Sequence, residues 1–193
     1  MARRGAIGIV LAGGGGRRIG GDKAVVELEG RALLLYPLAV LRAVLDDVAV
    51  VAKRATILPA LDPDVEIWLE ADEPRHPLAG VVHALRCARG RPVVVVAGDM
   101  PFVTRGLVTA LARERARGAV AVVPRAAGRL QPLCARYDPR ALTALAACDF
   151  AAPVRDVVAA LSPRIVDWPD DEPFFNVNRP EDILQAAALL GGR

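Results

Sequence analysis

Serine, asparagine, histidine and lysine are nearly missing from this chain of 193 residues. Its one serine, Ser162, stands in Leu161-Ser162-Pro163-Arg164. That is turn chemistry, not a strand-to-helix elbow that exposes a nucleophile, so a Ser-His-Asp hydrolase is disfavoured. The two histidines, His76 and His83, share no ligand spacing with a third donor and are read as structural. Three cysteines, Cys87, Cys134 and Cys148, are odd in number and lack C-x-x-C spacing. They read as reduced, mostly buried thiols rather than a disulfide framework or zinc site. No uncharged apolar run approaches the ~18 residues of a membrane helix. Met1-Ala2-Arg3-Arg4 precedes an apolar run, residues 7–12, too short for a signal sequence and ended by glycines. Export is not expected, and a cytoplasmic site is.

What is present is a core-forming composition, 53% apolar and 24% charged. A disordered chain is excluded. The net charge is +3, and the basic residues are scattered rather than run together. A small anionic ligand suits that balance better than nucleic acid. Lys23 and Lys53 are the only lysines; every other basic residue is arginine. In such a chain a lysine marks a place where arginine would not serve. Lys53 is nevertheless read as a surface charge.

Apolar β-branched runs predict strands over residues 5–12, 47–52, 65–69, 91–97, 119–123 and 164–168, with an extended stretch over 129–137. Helical spacing predicts helices over 32–45, 78–88, 107–117, 139–147, 154–161 and 180–190. The alternation fits βαβ units: an α/β protein of three layers, α/β/α, with a mostly parallel, doubly wound, Rossmann-like sheet. Ligands then bind at the carboxyl ends of the strands. Two loops fall there, one after the first strand and one at Asp99.

The first loop reads Leu11-Ala12-Gly13-Gly14-Gly15-Gly16-Arg17-Arg18-Ile19-Gly20-Gly21-Asp22-Lys23. It fails the dinucleotide fingerprint, because Arg18 stands where the third glycine belongs. It also fails the P-loop, because Asp22-Lys23-Ala24 replaces Lys-Ser/Thr. The physics beneath those templates still holds. Glycines let successive N–H groups approach a polyphosphate. Arg17 and Arg18 offer guanidinium forks for phosphate oxygens, and Lys23 a compact charge for phosphoryl transfer. Across the sheet, Val93 to Ala97 runs into Gly98-Asp99-Met100-Pro101. Asp99 is the expected metal ligand, since Mg2+ takes one or two carboxylates together with phosphates and water.

L-A-G-G-x-x-x-R-(M/I)-G-x-D-K after a first strand resembles the signature of nucleotidyltransferases with the nucleotide-diphospho-sugar transferase type of fold. The variant here is similar to the molybdenum cofactor guanylyltransferase (MobA) family. Three further stretches carry the likeness. Gly98-Asp99-Met100-Pro101 resembles the family's G-D-x-P. Gln131-Pro132-Leu133-Cys134-Ala135-Arg136-Tyr137 resembles H-P-L-x-A-x-Y, with glutamine in place of histidine. Phe174-Phe175-Asn176-Val177-Asn178-Arg179-Pro180-Glu181-Asp182 resembles F-x-N-x-N-T-P-E-(D/E).

The resemblance implies a single domain over residues 1–193, its nucleotide-binding part about 1–105 and its acceptor-binding part about 106–193. It implies nucleotide contacts at Leu11, Ala12, Gly13, Gly14, Lys23, Asp72, Gly80 and Asp99. Asp72 precedes Pro77-Leu78-Ala79-Gly80 and is placed against the base; Gly80 also suits close helix packing. Lys23, Arg17, Arg18 and Asp99 are the implied catalytic set, with Mg2+ on Asp99. Gln131, Asn176 and Asn178 fall on the acceptor side. Asn178 and Glu181 also form an N-x-x-E capping box, and starting the last helix is the leading role read for Asn178. The family's first Asn after strand two is replaced by Val51, so that contact does not carry over. The implied reaction joins GTP and Mo-molybdopterin into a guanine dinucleotide cofactor and pyrophosphate, with passing contacts to cofactor-delivery proteins and no membrane or nucleic-acid partner. The alternatives are CTP with molybdopterin, GTP with 2-phospholactate, a non-catalytic GTP-binding homologue, and a Rossmann oxidoreductase.

Overall fold

A computed structural model describes residues 5–12, 23–114 and 116–192. In chain order it begins with β1 (Ile7–Leu11), a hairpin of β2 (Glu27–Leu28) and β3 (Arg31–Ala32), α1 (Leu35–Arg42) and β4 (Val48–Lys53). Next come β5 (Glu66–Glu70), α2 (Pro77–Cys87), β6 (Val93–Ala97) and α3 (Arg105–Arg113). The second half holds β7 (Ala121–Ala126), β8 (Arg129–Leu130), β9 (Cys134–Tyr137), α4 (Ala141–Ala146), α5 (Val154–Ala160), β10 (Arg164–Asp167) and α6 (Pro180–Gly191).

Eight strands form one sheet in the order β10-β7-β9-β6-β1-β4-β5, with β8 against β7, while β2 and β3 pair with each other in a second, two-stranded sheet. β6, β1, β4 and β5 run parallel, as does β10 with β7. Because β1 and β6 are covered on both faces, they are apolar throughout rather than alternating. Their period of two divides the core. Val10, Val50, Val94 and Val96 face α1 and α3 through Leu38, Leu41, Leu107 and Leu111. Ile9, Val51, Val93 and Val95 face α2, α4 and α5 through Leu78, Val81, Leu145 and Val158. A third cluster packs α6 on the hairpin through Leu28, Leu33, Phe102, Val177 and Ala186. The three-layer α/β/α reading stands. No helix among the described residues is long and apolar enough to cross a membrane.

Three local expectations are corrected. The helix foreseen over 32–45 is shorter, because Ala32 belongs to a hairpin. Glu29 and Gly30 both take positive φ, 49° and 72°, as a two-residue hairpin turn requires. The extended stretch 129–137 breaks into β8 and β9 around Pro132, which has no N–H to donate. β9 runs antiparallel to both β6 and β7, reversing direction inside an otherwise parallel run. Last, the α6 cap is not Asn178 with Glu181. Asp182 accepts from the backbone N–H groups of Asn178 at 2.7 Å and Arg179 at 2.8 Å. The helix itself starts at Pro180, as foreseen, but its cap position is Arg179 rather than Asn178, which frees the Asn178 side chain.

Candidate active site

β1 and β6 lie side by side, so their carboxyl ends open at one place. Gly98 holds that place tight. Its N–H donates to the Leu11 carbonyl at 3.0 Å, and a Cβ there would stand 3.1 Å from the same oxygen. Asp99 follows directly. Its Oδ2 accepts from Lys23 Nζ at 3.1 Å across a separation of 76 residues. Lys23 Nζ also donates to Asn178 Oδ1 at 2.5 Å, across 155 residues. Asn178 is brought there by the backbone: Val177 N–H donates to the Asp99 carbonyl at 2.9 Å. Three distant segments thus meet in one polar knot. Asp99 Oδ1 is buried and, among the described residues, meets no hydrogen-bond partner.

The knot lines a cavity of about 380 Å³. Leu11, Ala12, Lys23, Gly80, Asp99, Asn176 and Asn178, all singled out in the sequence, line it together. Gln131 does not. It lines a neighbouring cavity of about 480 Å³, which shares Asn176 with the first. Asn176 also donates to the Phe174 carbonyl at 3.0 Å, which fixes its turn. Gly13, Gly14, Arg17 and Arg18 lie outside the described residues.

Two positions differ from the sequence reading. Asp72 is exposed and lines neither cavity. The acid on that wall is Glu70, the last residue of β5, which is only 9% exposed. Lys53, expected at the surface, is half-buried at the end of β4. Its Nζ lies 3.5 Å from Glu70 Oε1 and donates to the Ala71 carbonyl at 2.6 Å. Burial pushes the Glu70 carboxyl above its ordinary range, and Lys53 pulls it partly back. A sign of Glu70 was available: it ends a parallel strand beside β4, where open α/β sheets place ligands. The edge position of β5 and the exposed Ile67 and Leu69 hid it.

His76 caps α2, its Nδ1 accepting from Leu78 N–H at 3.3 Å, and its ring lines the cavity. Cys134 is fully buried, with its thiol pushed up to about 12, so it supplies no nucleophile. Cys87 and Cys148 are half-buried. Among the described residues no group of three or more His, Cys, Asp or Glu could hold a metal ion. An ion here would rest on Asp99 and on oxygens brought by a ligand.

Residues 8–165 match the family profile described as MobA-like NTP transferase domain. A molybdenum cofactor guanylyltransferase of Cereibacter sphaeroides is 36% identical over 190 residues, covering 95% of this chain and 96% of that protein. One from Pseudomonas putida is also 36% identical, covering 91% of this chain and 94% of the relative. Among solved structures, molybdopterin-guanine dinucleotide biosynthesis protein A from Archaeoglobus fulgidus superposes with a TM-score of 0.75 at 25% identity, covering 97% of this chain and all of that one. A 4-diphosphocytidyl-2C-methyl-D-erythritol synthase shares the fold, with a TM-score of 0.73 at 15% identity over 97% of this chain and 99% of the other.

Proposed function

We infer what this chain does from one premise: it belongs to the MobA-like NTP transferase family. It is a nucleotidyltransferase acting as a molybdenum cofactor guanylyltransferase. It transfers GMP from GTP to the phosphate of Mo-molybdopterin and releases pyrophosphate. The observation that carries this reading is the meeting of Lys23, Asp99 and Asn178 in one cavity whose wall also holds the buried carboxylate of Glu70.

An oxygen of the acceptor phosphate attacks the α-phosphorus of GTP. The new P–O bond forms as the bond to the bridging oxygen breaks, and that electron pair leaves on pyrophosphate. The attacking group is already an anion, so no side chain needs to remove a proton. The site fits that economy: His76 Nδ1 is committed to its helix and Cys134 is sealed in the core. What remains is positioning and charge stabilisation. Lys23 supplies a compact positive charge where the phosphates sit. Asn178 and Asp99 hold its ammonium in place. Arg17 and Arg18, by their chemistry, take the departing pyrophosphate. The buried, unpartnered Asp99 Oδ1 suits Mg2+, which when bound would neutralise the phosphate oxygens.

Glu70 favours GTP over CTP. Guanine offers N1–H and N2–H donors side by side, and a carboxylate accepts both. Cytosine offers a single amino donor, N4–H2, beside the N3 acceptor, so a carboxylate gains one hydrogen bond there and faces a lone pair in place of the second. Asn176 joins this cavity to the one lined by Gln131, which supports reading that second cavity as the acceptor's. Thermal melting with GTP, CTP, ATP and UTP in the presence of Mg2+ tests the nucleotide. GTP should raise the melting temperature most. Equal shifts from all four, or a larger shift from CTP, would sink the guanylyl reading.

A further inference from the structure

Glu70 lines the cavity and pairs with Lys53, and the chemistry above uses only Glu70. A buried ion pair is on average no more stabilising than apolar packing, so its position invites a use beyond stability. Glu70 is turned in a definite way. Oε1 faces Lys53 Nζ at 3.5 Å. Oε2 lies 3.5 Å from the point where a Cβ on Gly80 would stand, in the space that Gly80 leaves open on the cavity side of α2. Lys53 cannot swing freely, because its ammonium also holds the Ala71 carbonyl at 2.6 Å.

We propose that Lys53 is a positioning residue for base selection: it holds Glu70 as a carboxylate aimed at the donor edge of guanine beside Gly80. The proposal rests on the reading that this cavity takes GTP. Each carboxylate oxygen has room for two donors, so Oε1 can accept from Lys53 and from the base together. Without the ammonium, the buried carboxyl would favour its neutral form, which turns one of its two oxygens from an acceptor into a donor and so pairs poorly with two base N–H groups. Burial already raises the Glu70 carboxyl, and Lys53 is the neighbour that lowers it. His76, Lys23 and Asp99 line the same cavity. Glu73, His83 and Arg86 share a smaller hollow with Glu70.

The test compares GTP with ITP, whose base keeps N1–H but lacks the 2-amino group. Binding of both to the full chain with Mg2+ is measured by calorimetry across pH 5 to 8. The wild-type protein should bind GTP about tenfold more tightly than ITP, the worth of one hydrogen bond to a charged acceptor. In Lys53→Met that ratio should fall toward unity, and the loss of GTP binding on acidification should begin at higher pH. Lys53→Arg should restore most of the ratio. Lys53→Gln, which keeps a donor for Ala71 but no charge, should behave like Lys53→Met and serves if the methionine variant does not fold. A GTP-to-ITP ratio and pH limb unchanged in the neutral variants would overturn the proposal, as would equal weakening of both nucleotides at an unmoved pH limb. Wild-type protein that binds GTP and ITP equally would overturn it too, whereas a failure to prefer GTP over CTP in the melting series would overturn the guanylyl reading itself.

Discussion

Lys23 and Asp99 are each 17–18% exposed at the side chain and stand 3.1 Å apart. Each neutralises the other until phosphates arrive, so neither is there mainly for stability. Asp99→Asn keeps the shape but removes the charge. Pyrophosphate release should fall by about 10³-fold, the several kcal/mol attributed to charge stabilisation at such a site. The melting temperature without nucleotide should hold within about 2 °C, and the gain on adding GTP should lose its dependence on Mg2+. Turnover near that of the parent would remove Asp99 from the reaction. Lys23→Arg tests the compactness of the charge. A guanidinium spreads its charge over three nitrogens on a longer, planar head, so it cannot concentrate a point charge where Nζ stands 3.1 and 2.5 Å from the Asp99 and Asn178 acceptors. Turnover should drop by about a hundredfold, with melting unchanged; parental kinetics would show that any cation serves.

At the scale of elements, the start of α6 separates chemistry from stability. Asn178 was legible in the sequence, but its role was not, because N-x-x-E is itself a sound capping pattern. The structure moves the cap to Asp182 and gives the Asn178 side chain to Lys23. Asp182→Ala should therefore cost about 1–2 kcal/mol in urea unfolding and leave the turnover of folded protein largely intact. Asn178→Ala should do the opposite, slowing pyrophosphate release at least about tenfold with little change in unfolding. If both variants lose stability alike, Asn178 is a cap after all. The same contrast explains what else could be read in advance. β1, β4 and β6 were clear, because strands buried on both faces are unbroken apolar runs. The reversal at β9 was not, since direction depends on which neighbours a strand meets and leaves no mark in its own residues. The hairpin turn at Glu29-Gly30 escaped because glutamate is an uncommon residue at positive φ.

Over the whole molecule, Glu70 sets the apo fold and the liganded fold against each other. Its carboxyl is raised by burial above the ordinary glutamate range, with Lys53 opposing. A carboxyl raised in the folded state contributes stability that is present below its unfolded range and is lost as pH climbs through the raised value. Ionised Glu70 therefore weakens the apo protein at neutral pH, and only a ligand with donors to share makes the charge worthwhile. Glu70→Gln, which mimics the neutral acid at every pH, should melt higher than the parent without nucleotide at pH 7, with the gap closing as pH falls into the ordinary glutamate range. With GTP and Mg2+ the order should reverse. At a hundred times its dissociation constant a ligand adds about 2.7 kcal/mol, roughly 5–10 °C for a chain of this size, and Glu70→Gln should forfeit most of it. A variant that melts lower than the parent under both conditions would mean that Glu70 is held for stability by Lys53 and that the base is read elsewhere in the cavity.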